Sequence, residues 1–178
     1  TFHWFHRNNQ ITLSGRNQIG SNRFVTNTQI RLDVSSTLAH TMHFGLIPTG
    51  QGDLIISMEP MESLRYLPYL SREGWLVTNE TPFINIPNYP EIGQIMGEIE
   101  KLPHKVVLDI EQLAREVGSP RVANMVLLGA TIPFLGIEYD KIQESIRDIF
   151  TRKGEEIVEM NLKALAAGKE IAEKVVKL

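Results

Sequence analysis

Residues 53–70 restrict the possible folds more than any other part of the chain. Leu54-Ile55-Ile56 is an unbroken apolar run, the pattern of a strand covered on both faces of a parallel sheet. Pro60 follows where a helix would begin, a position at which its missing N–H is harmless. Met61, Leu64 and Leu67 then recur at helical spacing and give that helix one apolar stripe. Strand, turn and helix in this order are the opening of a βα unit, and the rest of the chain continues it.

Trp75-Leu76-Val77-Thr78-Asn79 reads as the next strand. After a proline-rich loop over residues 82–90, Ile92, Ile95, Met96 and Ile99 share one helical face. Val106-Val107-Leu108 is a further buried strand, and Asp109 stands at its end as the cap of a helix carrying Ile110, Leu113, Ala114 and Val117. Ser119-Pro120 opens an apolar helix from Val122 to at least Leu128, in which Gly129 lets a neighbouring backbone come close and Asn124 calls for a hydrogen-bond partner. Helices are expected over residues 139–150 and 155–176. The second has acids at its start and lysines at its end, matching the helix dipole.

The first fifty residues differ in kind. Asp33 is their single acid, their cations are all arginine, and the first lysine of the chain is Lys101. Asn, Gln, Ser and Thr are dense there, with no helical period. Ile30, Leu32 and Val34 alternate with polar residues, as do Met42, Phe44 and Leu46, so an antiparallel hairpin turning near Ser35-Ser36-Thr37 is expected. Pro48-Thr49-Gly50-Gln51-Gly52 is a loop within one domain, not a linker, and residues 1–178 read as a single domain.

Composition excludes several functions. With no cysteine, the chain has no disulfide, no thiol nucleophile and no cysteine-ligated iron–sulfur cluster, so any redox centre belongs to another chain. The net charge of −3 offers nucleic acid no long-range attraction. No apolar run approaches the roughly 20 residues of a membrane span, and residues 1–10 lack the apolar core of a signal peptide. A cytoplasmic protein is expected.

Local motifs add little chemistry. Gly15-Arg16-Asn17-Gln18-Ile19-Gly20-Ser21 has Walker-like glycine spacing without the lysine. Gly50-Gln51-Gly52 precedes a strand, whereas a dinucleotide cradle follows one. His3 with His6, and His40 with His43, share a spacing that could seat a metal only on helices and with further ligands. No Gly-x-Ser-x-Gly elbow is present, and His104 has no evident partner. Glu98 with Glu100 and Glu155-Glu156 read as solvated helix faces. Glu59 and Asp109 stand at strand ends, where open α/β sheets place ligands, although capping or subunit contact explains both.

Larger blocks carry a resemblance. Residues 47–70, Asn79-Glu80-Thr81-Pro82, Asn88-Tyr89-Pro90, residues 121–130 and residues 161–168 together resemble, in consistent order, the gamma-type subunit of 2-oxoacid:ferredoxin oxidoreductases. The loop over residues 82–90 and the block over residues 152–161 are most similar to the indolepyruvate branch, whose corresponding chain is the beta subunit. That family opens with a Gly-x-Gly-Gly-Gln-Gly loop and a later His-Gly-Met-Ser/Ala-Gln-Arg-Gly-Gly segment. Neither stands in this chain, so residues 1–50 are atypical.

The resemblance implies a subunit of a complex that oxidatively decarboxylates a 2-oxo acid, in this branch indolepyruvate or another arylpyruvate and not pyruvate, to an acyl-coenzyme A and passes electrons to ferredoxin. Thiamine diphosphate, iron–sulfur clusters and coenzyme A would belong to the complex, with no cofactor and no catalytic residue on this chain, which alone would be inactive. The partner would be the thiamine- and cluster-bearing subunit, and a homo-oligomer is also open. The expected fold is α/β: a Rossmann-like, mostly parallel sheet with an antiparallel hairpin contribution and C-terminal helices. Candidate subunit contacts are Glu59, Met61, Arg65, Tyr66, Asn79 and Thr81, though Met61, Leu64 and Leu67 also suit an intrachain core. Two other readings are a stand-alone coenzyme- or nucleotide-binding module using the strand ends near Glu59, Asn79 and Asp109, and a structural oligomer without catalysis.

Overall fold

The computed structural model describes residues 24–26, 47–84 and 87–177. Its strands are β1 (Phe24–Thr26), β2 (Gly52–Ser57), β3 (Leu70–Asn79) and β4 (Lys105–Leu108). They form one sheet in the order β1-β2-β3-β4, and every neighbouring pair is parallel. The expected hairpin over residues 30–46 lies outside the described residues. The three residues of β1 fall in the atypical N-terminal segment, where they were too few to show a period.

Six α-helices complete the described part: α1 (Pro60–Tyr66), α2 (Ile92–Glu100), α3 (Ile110–Val117), α4 (Ala123–Leu135), α5 (Tyr139–Phe150) and α6 (Glu155–Val176). The chain steps from β2 to β3 to β4 in one direction through α1 and α2. Crossovers of parallel strands share one hand, so both helices cover the same face. There Ile55 and Leu76 meet Ile95 and Ile99, with Met61, Leu64 and Leu67 packed around them.

After β4 the chain passes to the other face. Leu54, Ile56, Val77 and Val106 there join the side chains of α3, α4 and α6 in the larger core. Period-two alternation explains the split: Leu54 and Ile56 face one way and Ile55 the other, and Trp75 and Val77 oppose Leu76.

Helix α4 is central to this layer and is buried from Met125 through Ile132. Such a helix can be apolar all round because no side meets water. At about 1.5 Å per residue its length falls well short of the roughly 30 Å of a bilayer core. No helix among the described residues is long and apolar enough to cross a membrane. It ends at Gly136, whose φ of 63° is left-handed and suits a residue without Cβ.

Helices α4 and α6 meet backbone to backbone. A Cβ on Gly129 would lie 2.0 Å from the carbonyl oxygen of Leu165, and one on Gly168 would lie 1.9 Å from the carbonyl oxygen of Val126. Each glycine thus makes room for the main chain of the other helix, and a main chain cannot swing aside as a side-chain tip can. Asn124, for which a hydrogen-bond partner was expected, stands half-buried on the first turn of α4. The asparagine that fixes a loop is Asn79, which joins the connection after β3 to the first turn of α3.

Gly129→Ala or Gly168→Ala should lower stability by about 3 kcal/mol, read as a fall in the denaturant midpoint. Gly93→Ala and Gly97→Ala are the contrast. They lie in α2, where an added Cβ meets nothing within 4 Å, and should raise stability by about 0.5–1 kcal/mol. Equal effects from the two pairs would contradict the packing described.

Candidate functional site: the carboxyl edge of the sheet

Parallel strands bring the ends of β2, β3 and β4 to one edge, where open α/β sheets place their functional groups. Here that edge is a set of side chains bonded to one another. At the end of β2 the Ser57 hydroxyl donates to the Glu59 carbonyl at 2.6 Å and accepts from the Glu59 N–H at 3.2 Å. The Glu59 carboxylate caps α1 by accepting from the Glu62 N–H at 2.8 Å. Its other oxygen accepts a short hydrogen bond from the Tyr89 hydroxyl.

Asn79 ends β3 and is 1% exposed. Its Nδ2 donates to the Thr81 carbonyl at 3.0 Å and to Glu111 Oε2 at 2.9 Å, while its Oδ1 accepts from the Ile110 N–H at 3.2 Å. One amide therefore joins the loop after β3 to the first turn of α3. Asp109, at the end of β4, caps α3 by accepting from the Gln112 N–H at 2.8 Å. Buried polar groups need such partners, and no buried side-chain polar atom among the described residues lacks one.

These bonds bear on ligand chemistry. A phosphate bound at a helix N-terminus takes up free backbone N–H groups beside the positive end of the dipole. At α1 the Glu59 carboxylate already holds that place, and Pro60 brings no N–H. At α3 Asp109 does the same. Both ends carry carboxylates, and Glu62 and Glu111 follow them in the first turns, so a nucleotide, a coenzyme diphosphate or thiamine diphosphate would meet like charge. The residues here do not fit those groups. Nor do they fit a metal centre: no group of three or more His, Asp or Glu side chains among the described residues is disposed to hold an ion, and the histidine pairs at 3 and 6 and at 40 and 43 lie outside the described residues.

The six candidate contact residues divide by accessibility. Met61 and Tyr66 are half-buried against the smaller core. Glu59 and Asn79 spend their polar atoms within the chain, so their part is to hold the edge in shape. Arg65 and Thr81 are exposed, and Arg65 pairs with Glu62 at 2.9 Å. Elsewhere, His104 lies at the opposite edge, its ring 5.1 Å from that of Trp75 and its Nε2 3.8 Å from Glu73 Oε2. It has no part in the carboxyl edge.

Tyr89 is the site residue that sequence reasoning missed, because its partner is 30 positions away. Burial first, and then the Glu59 carboxylate, push its phenol well above the ordinary tyrosine value. With the folded pKa raised, this proton stabilises the fold fully below the unfolded value of roughly 10, and the contribution is lost as pH rises further. Tyr89→Phe should cost about 1 kcal/mol at neutral pH and should flatten the alkaline loss of stability seen with the wild type. Chemical denaturation across the alkaline range checks this, and parallel curves for the two proteins would contradict it.

Comparison with known proteins agrees with this architecture. The family model described as pyruvate ferredoxin/flavodoxin oxidoreductase matches residues 13–171. Indolepyruvate oxidoreductase subunit IorB of Archaeoglobus fulgidus is 34% identical over 135 residues, which cover 69% of this chain and 64% of that protein. The subunit of the same name from Pyrococcus horikoshii is 32% identical over 143 residues, covering 75% and 69%. The chain thus spans about two thirds of the length of these curated relatives. Among solved structures, the gamma subunit of a keto/oxoacid ferredoxin oxidoreductase from Geobacter sulfurreducens superposes with a TM-score of 0.51 at 24% identity, over 70% of this chain and 66% of that one. A 2-oxoglutarate:ferredoxin oxidoreductase from Magnetococcus marinus gives 0.52 at 23%, over 73% of this chain and 21% of that one. Those two likenesses bear on the fold alone. Since the family model spans nearly the whole sequence, the chain belongs to the pyruvate ferredoxin/flavodoxin oxidoreductase family.

Proposed function

We propose that the chain serves as a subunit of a 2-oxoacid:ferredoxin oxidoreductase acting on indolepyruvate or a related arylpyruvate, and that it supports chemistry carried out on a partner chain. The observation that carries this reading is the identity of 30–34% with four archaeal indolepyruvate oxidoreductase subunits over 69–75% of the chain. Its substrate class is theirs, brought to this chain by likeness.

The division of labour rests on donor chemistry. Without cysteine, the chain offers an iron–sulfur cluster none of its usual ligands. The carboxyl edge presents carboxylates where a diphosphate would need N–H donors. Thiamine diphosphate, the clusters and coenzyme A are therefore assigned to the complex, with ferredoxin as the acceptor it serves. This chain contributes a rigid α/β body and the surface near Arg65 and Thr81. The same acidic edge disfavours the stand-alone coenzyme-binding alternative.

Reconstitution tests the reading. The purified chain is mixed with the larger, thiamine-binding subunit of the same organism, and reduction of a low-potential acceptor is followed with indolepyruvate and coenzyme A. The mixture should be active and each part alone inactive, with indolepyruvate preferred over pyruvate by roughly tenfold or more in kcat/KM. Turnover by this chain on its own would contradict the proposal.

A further inference from the structure

The two cores of this chain are unequal. Under α1 and α2 the buried apolar residues described are Ile55, Leu76, Ile95 and Ile99, whereas the core on the other face takes in most of α4 together with side chains of α3, α5 and α6. Local stability follows buried apolar contact, so the layer of α1 and α2 is the weaker of the two. Its helices are nevertheless tied to each other. Glu59 caps α1 through Oε2, which accepts from the Glu62 N–H at 2.8 Å. Its Oε1 accepts from the hydroxyl of Tyr89, two residues before Glu91, the N-cap of α2. One carboxylate thus serves the starts of both helices, and the Tyr89 ring packs with Met61 on the same small core. At the other end of α2, Lys105 Nζ donates to the carbonyls of Glu100 and Leu102 at 3.0 and 3.1 Å. The polar groups ending β3 and β4 belong to the opposite layer: Asn79 is bonded to the Ile110 N–H and to Glu111, and Asp109 caps α3.

We infer that α1 and α2 form one conformational unit, latched by Glu59 and Tyr89, which opens away from the sheet while α3, α4 and α6 stay folded. Opening is a rare excursion from the native state that uncovers Ile55 and Leu76. It also divides the carboxyl edge. Arg65 is carried on the unit that opens, whereas Thr81 is held through Asn79 to α3 and stays, so the surface between them changes shape. The inference does not depend on the subunit reading.

Native-state hydrogen exchange of the full chain, in denaturant below the unfolding transition, tests this with three variants. A substitution speeds exchange only through openings that break the contact it removes. Tyr89→Phe should speed the slowest amides of α1 and α2 by one common factor of about fivefold. Asp109→Ala, which removes the cap of α3, should speed those of α4 and α6 about fivefold and leave α1 and α2 at wild-type rates, because that cap survives the local opening. Gly97→Ala lies in α2, where an added Cβ meets nothing within 4 Å, and should slow α1 as well as α2 by roughly two- to fivefold. Faster exchange of α1 and α2 in Asp109→Ala would show that the molecule opens only as a whole. An effect of Gly97→Ala confined to α2 would show that the two helices open separately. Either result overturns the inference, as does a Tyr89→Phe chain in which α1 or α2 exchanges like the wild type.

Discussion

Helices α4 and α6 cross so closely that main chain meets main chain at two glycines, and the rest of the architecture follows from that contact. Gly129 and Gly168 each accommodate a carbonyl of the opposite helix, at distances where any Cβ would overlap it. Because α6 comes this close, α4 can be enclosed between the sheet and α6, and an apolar segment with almost no polar face becomes soluble. Removing water from α4 also covers the face of the sheet formed by Leu54, Ile56, Val77 and Val106. The smaller layer of α1 and α2 covers the other face.

With both faces covered, the functional surface is left to the edges and connections. The carboxyl edge is the place where comparable sheets recruit small molecules, yet here its polar groups are engaged with each other. Glu59 and Asp109 do for α1 and α3 what a bound anion would do. Asn79 and Tyr89 join segments about 30 residues apart in the chain. An edge wired in this way is stiff and acidic, a platform that positions loops and is poorly suited to phosphate groups. That agrees with a role exercised through contact with another chain.

Much of this could be read from the residues in order. Leu54-Ile55-Ile56, the capping Asp109 and Ser119-Pro120 are local signals, and they located β2, α3 and the approach to α4. The bounds of α5 and α6 match expectation because Gly154 and the acids at Glu155 and Glu156 mark a sharp start. Strand β3 begins at Leu70, earlier than the apolar run at Trp75, because Ser71, Arg72 and Glu73 give no strand pattern and pairing beside β2 decides the matter. Gly129 was legible as a point of close approach, but its counterpart Gly168 was not, since only the crossing of two helices relates them. Tyr89 with Glu59 and Asn79 with Glu111 were likewise hidden, because tertiary bonds leave no period in a sequence. The contact candidates were chosen by position after a strand, and position alone does not separate the buried Asn79 from the exposed Thr81.

Hydrogen exchange of the chain, recorded with and without the larger thiamine-binding subunit, tests the central claim most directly, because it reports every segment at once. The account predicts new protection confined to the carboxyl edge near Arg65 and Thr81, with α4 and α6 unchanged. Protection confined to the opposite edge near Trp75 and His104, or none anywhere, would contradict it.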